Sequence, residues 1–109
     1  MNNCLRVAEF QNDLKKFNDG LYTHVGEDGA TLSGGQIQRL GLARALYLDR
    51  EIIILDETTS SLDNETEKKV LDNLRDLSKN KKTVIAITHK KNALDYYDKV
   101  LYLEQGLVK

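Results

Sequence analysis

Three features of this sequence predict an α/β fold built on a parallel strand pair covered by helices. Ile52-Ile53-Ile54-Leu55 is an unbroken, β-branched-rich run that ends in two carboxylates, Asp56 and Glu57. Thr83–Thr88 is a second apolar run of the same kind. Between them, Val70, Leu71, Leu74 and Leu77 fall on one helical stripe. Strand, helix and strand at this separation make a βαβ unit with a right-handed crossover. Strands that are apolar on both faces belong in a sheet covered on both sides.

The elements follow in chain order. With 109 residues the chain suits one domain with a modest core. Residues 4–17 place Leu5, Val7, Ala8, Phe10, Leu14 and Phe17 in a loosely helical pattern, which Asn18-Asp19-Gly20 breaks. Residues 20–31 hold three of the seven glycines and read as a loop. Ser33 and Gln36 then form an S-x-x-Q capping box, with Leu32 and Ile37 at the two positions of a hydrophobic staple. A helix is therefore expected from Gly34 to about Leu48, with Ile37, Leu40, Leu42, Ala45 and Leu46 inward. Asp63 caps the next helix, whose first turn carries Glu65 and Glu67. Beyond the second strand, Asn92–Tyr97 is a short helical turn and Lys99–Leu103 a third strand, and Gly106 turns the chain into Leu107-Val108. The mixed charges of residues 64–79 read as a solvated face, and Tyr96, Tyr97 and Tyr102 as packing around the last strand.

Composition excludes several classes of function. The net charge of −1 supplies no basic field for nucleic acid or an anionic bilayer. No apolar run approaches the ~20 residues of a spanning helix, and Met1–Arg6 lacks the apolar region of a secretory signal. Cys4 is the only cysteine, so neither a disulfide framework nor a thiolate zinc cluster is available. These features read as a soluble, cytosolic chain.

Three constellations carry chemistry. In Leu32-Ser33-Gly34-Gly35-Gln36, two glycines open a helix, each costing about 1 kcal/mol against alanine. They leave backbone N–H groups uncovered at the positive end of the helix dipole, where an anion can approach; a tight packing contact is the competing explanation. Asp56 and Glu57 stand at the carboxyl end of a parallel strand, where α/β sheets place ligands. One acid can serve Mg²⁺ while the other faces an attacking water, although a solvated strand end would look the same. His89 directly follows the second strand, and parallel neighbours end on the same side, so it can lie near both acids and touch a terminal phosphate. His24, in the glycine-rich loop, reads as a surface residue.

With these residues in view, the sequence resembles the nucleotide-binding domains of ABC transporters. Leu32–Gln36 with Ile37–Leu46 looks like their signature helix. Ile52–Glu57 resembles the Walker B strand with its catalytic glutamate, Thr58–Asp63 the D-loop, and Thr88-His89 the switch histidine. The stretch Gly20–Gly29 is similar to the exporter type. Thr59 and Lys90 stand where many members have alanine and arginine. The resemblance implies a P-loop NTPase-like fragment that uses ATP and Mg²⁺. Asp56 would hold the metal through water, Glu57 would polarise the hydrolytic water and His89 would contact the γ-phosphate. Ser33, Gly34, Gly35 and Gln36 would face ATP bound to a second, partner nucleotide-binding domain, and Ser61, Leu62 and Asp63 would cross the dimer interface. It further implies a transmembrane partner and a place on the cytoplasmic side of the membrane.

One departure is large. A P-loop needs G-x-x-x-x-G-K-[ST], and this chain contains no Gly-Lys pair. The expectation is a partial domain, with residues 1–48 ending a helical subdomain and residues 49–109 forming the C-terminal part of the catalytic core. The missing N-terminal P-loop half would be a further partner. Two other readings stay open on the residues alone. One is a non-enzymatic module lending its signature helix and D-loop to a complete ATPase. The other is the C-terminal lobe of a chromosome-maintenance ATPase, although residues 1–31 lack the heptads that family would place before the signature.

Overall fold

A computed structural model describes all 109 residues. Two short helices open the chain, α1 (Asn2–Val7) and α2 (Gln11–Leu14), followed by a 3₁₀ turn at Gly20–Tyr22. Next come α3 (Gly34–Tyr47), β1 (Ile52–Asp56), α4 (Asn64–Ser78) and β2 (Thr83–Ile87). A 3₁₀ segment, Lys91–Tyr96, leads towards a terminal hairpin of β3 (Leu103–Glu104) and β4 (Leu107–Val108). No helix is long and apolar enough to cross a membrane.

The predicted βαβ unit is present. β1 and β2 pair in parallel, with Ile52 opposite Thr83 and Asp56 opposite Ile87, and α4 makes the crossover. Val70, Leu71 and Leu74 of α4 are buried, as their spacing requires. Val70 and Leu74 share a core with Ile53 and Leu55, completed by Leu42 and Ala43 of α3 and by Leu5, Val7, Ala8 and Phe10.

The structure departs from expectation in four places. The single loose helix over 4–17 is instead α1 and α2, because Glu9 adopts the left-handed conformation (φ +57°) and breaks the run. Ile37, expected to face inward, is 59% exposed. Lys99–Tyr102 is not a strand; only Leu103–Glu104 pairs, antiparallel with Leu107–Val108, forming a hairpin outside the parallel sheet. The radius of gyration, 14.9 Å, accordingly exceeds the roughly 13 Å of a compact chain of this length. Finally, only one face of the parallel pair is covered. Ile52 (58%), Ile54 (67%), Ile85 (49%) and Ile87 (49%) alternate with buried Ile53 and Leu55 and half-buried Val84 and Ala86, and form an open apolar face.

Candidate nucleotide-hydrolysis site

β1 and β2 end together, which sets the acids and the histidine side by side. The backbone N–H of Glu57 donates to the carbonyl of Ile87 at 2.9 Å, extending the pairing one residue beyond the strand. Glu57 itself sits in the left-handed region (φ +50°), so its side chain leaves the strand direction. His89 Nε2 then lies 3.0 Å from Glu57 Oε1, an ion pair whenever the imidazole is protonated. Asp56 is exposed at the end of β1. The expected approach of His89 to this strand end is what the structure shows.

The start of α3 is built as its sequence specifies. Ser33 Oγ accepts from the Gln36 N–H at 3.2 Å, and Gln36 Oε1 accepts from the Ser33 N–H at 2.9 Å, closing the capping box. Gln36 Nε2 donates to Asp13 Oδ1 at 3.0 Å, so this amide is held on both its oxygen and its nitrogen. Ser33 and Gly34 are exposed. Gly35 also has a packing reason: a Cβ there would meet Leu62 Cδ2 and the Ser61 carbonyl at 3.2 Å. An exposed glycine, Gly34, and a tight contact at Gly35 are both properties of this helix end.

The loop after β1 rests against α3. Gln38 Nε2 donates to the Glu57 carbonyl at 3.1 Å and to Ser60 Oγ at 2.7 Å, while Gln38 Oε1 accepts from the Ser61 N–H at 2.9 Å. Ser61 and Asp63 face outward. Leu62 is 8% exposed and belongs to the core, while Ser61 and Asp63 on either side of it are exposed.

Several residues in this shell escaped the sequence reading. The mixed charges of residues 64–79 suggest a solvated face, yet Glu67 is 1% exposed, accepting from Lys90 Nζ at 2.7 Å and Thr59 Oγ1 at 3.2 Å. Its spacing of three and four residues from Val70 and Leu71 places it on the inward stripe, a signal the charge pattern masked. Asp13 gave no local signal. Burial pushes its carboxyl upward, but hydrogen bonds from Gln36 and Arg39 outweigh that and hold it below its ordinary value. Arg39 also donates to the carbonyl of Glu9 and lies over the Phe10 ring, fastening the N-terminal helices to α3.

A parallel strand pair with a helical crossover, acids and a histidine at its carboxyl end, and an adjoining glycine-rich helix N-terminus define part of an α/β nucleotide-binding domain. The chain belongs to the ABC transporter family, whose family model matches residues 5–60, just over half its length. It is 46% identical, over 93% of its length, to the multidrug resistance-like ATP-binding protein MdlA of Buchnera aphidicola. It is equally identical, over 94%, to an ATP-dependent lipid A-core flippase of Vibrio vulnificus. A bacterial Atm1-family ABC exporter with ATP bound superimposes with a TM-score of 0.84 at 34% identity, over 94% of this chain and 18% of that one. The chain spans 17% of the length of each of these two curated relatives.

Proposed function

We propose that this chain is the C-terminal half of an exporter-type ATP-binding domain that hydrolyses ATP to drive transport through a transmembrane partner. Residues 1–48 end the helical subdomain and residues 49–109 supply the C-terminal part of the catalytic core. The contact between Glu57 Oε1 and His89 Nε2, 3.0 Å at the carboxyl end of β1 and β2, carries this reading. It sets a carboxylate able to take a proton from water beside an imidazole able to meet a terminal phosphate.

Ser33, Gly34, Gly35 and Gln36 offer the N-terminus of α3 to ATP held by a second domain, with the Gln36 side chain fixing the turn. Ser61 and Asp63 lie along the contact between the two domains, and Leu62 anchors that loop in the core. No cluster of three or more His, Cys, Asp or Glu is built here. An ion beside Asp56 and Glu57 would therefore draw its remaining ligands from phosphate and water, the donor set that suits Mg²⁺. Asp56 would hold it through water, and the ion would neutralise phosphate charge. The open Ile52/Ile54/Ile85/Ile87 face is the seat of the P-loop half, and the assembled domain lies on the cytoplasmic side, peripheral to the membrane.

The test combines this chain with a complementary half that carries a P-loop. Glu57→Gln keeps size and hydrogen bonding but removes the charge, so ATP should still bind while turnover falls on the order of 100- to 10,000-fold. Undiminished turnover would reject Glu57 as the base.

A further inference from the structure

Gln38 lies one turn into α3 from the end that presents Ser33 and Gly34, and its amide is spent entirely on the loop that carries Glu57. Nε2 reaches the Glu57 carbonyl at 3.1 Å and Ser60 Oγ at 2.7 Å, and Oε1 takes the Ser61 N–H at 2.9 Å. Glu57 is a non-glycine residue at φ +50°, a conformation that persists only where its surroundings over-determine it. Its N–H is fixed by Ile87 and its carbonyl by Ser60 and Gln38. Of these three partners, Gln38 alone comes from α3. The close approach of Gly35 to Ser61 and Leu62 brings the same loop against the same helix without using any side chain of α3.

We propose that Gln38 is a positioning residue that ties the orientation of Glu57 to the placement of α3. A helix moves as one body over two turns, so a shift that seats or unseats Ser33 and Gly34 against an anion is transmitted through Gln38 to the Glu57 backbone. Glu57 is aligned for water only when the α3 N-terminus is correctly placed. The inference rests on the proposed ATPase reading for its consequence in turnover, but the link itself is a property of this chain.

Two variants test it. Gln38→Met keeps the volume and loses all three bonds. Gln38→Glu still accepts from the Ser61 N–H and from a Ser60 hydroxyl, but sets an acceptor against the Glu57 carbonyl. In the 109-residue chain, exchange of the Ser61 amide followed by NMR should accelerate about tenfold in Gln38→Met and stay unchanged in Gln38→Glu. With the P-loop half supplied, both variants should lose about tenfold or more in kcat while KM for ATP stays within about twofold. A Gln38→Glu protein that turns over like the wild type overturns the proposal, as does unchanged Ser61 exchange in Gln38→Met. A kcat loss that merely follows the unfolded fraction, read from thermal melts, overturns it too. If the wild-type assembly hydrolyses no ATP, the functional reading fails, while the exchange measurement still decides whether Gln38 holds the loop.

Discussion

Lys90 Nζ stands 2.7 Å from Glu67 Oε2 and 2.9 Å from the carbonyl of Thr59, so one ammonium joins the segment after His89, the loop after Glu57 and the first turn of α4. The Thr59 hydroxyl serves the other Glu67 oxygen. A buried carboxylate is tolerable only when both oxygens are served.

Lys90→Met should therefore destabilise the fold by about 3 kcal/mol, the lower end for a broken buried pair because the lysine side chain is 30% exposed. Glu67 would be left without its cation. Urea denaturation measures the loss. Lys90→Arg should recover most of it, since guanidinium also offers several donors. Equal stability of Lys90→Met and wild type would mean that water replaces the ammonium.

Asp13 predicts a pH dependence. Its folded value lies below the ordinary 3.8, so its contribution is complete above 3.8 and is lost as pH falls through the folded value. Asp13→Asn should be less stable than wild type at neutral pH, and the gap should close in acid. Denaturation midpoints across the acid range decide this; a gap independent of pH would assign the effect to shape instead of charge.

The open sheet face predicts self-association of the chain by itself. Covering one isoleucine fully is worth about 1.5–3 kcal/mol, and four of them stand together on the edge-exposed pair. Light scattering should show dimers or larger species at high concentration. Ile54→Lys, placed at the most exposed of the four, should return the chain to a monomer with little change in unfolding midpoint. Wild-type chain that stays monomeric throughout would count against this.

Ser33→Arg separates closure from binding. The substitution removes the cap of α3, at about 1 kcal/mol, and sets a bulky cation where a partner's phosphate would seat. In the assembled domain it should abolish turnover while leaving ATP binding in the same domain nearly intact. Loss of that binding from a folded variant would mean that the α3 terminus does not act on a partner's nucleotide.

Much of this site could be read from local patterns. The capping box at Ser33 and Gln36, the β-branched run ending in Asp56-Glu57 and the position of His89 depend on neighbours in sequence, and the structure builds the capping box and the strand end, with His89 against Glu57, as those patterns require. What escaped depends on partners far along the chain. Asp13 meets Gln36 across 23 residues, and Glu67 meets Lys90 across another 23, so neither pairing leaves a local trace. The third strand failed for a different reason. Lys99–Leu103 has strand composition, but composition names no neighbour, and only Leu103 of these residues finds a strand partner, in Val108.

The N-terminal helices are fastened to the rest by more than the chain that leads out of them. Leu5, Val7, Ala8 and Phe10 sit in the common core, Asp13 holds Gln36 and Arg39, and Asn73 of α4 donates to the Val7 carbonyl and to Glu9. The exposed loop across Leu21–Asp28 contributes none of these contacts. A protease that nicks this loop would thus cut the covalent thread and leave the particle whole, its two pieces travelling together through a sizing column and parting only in denaturant.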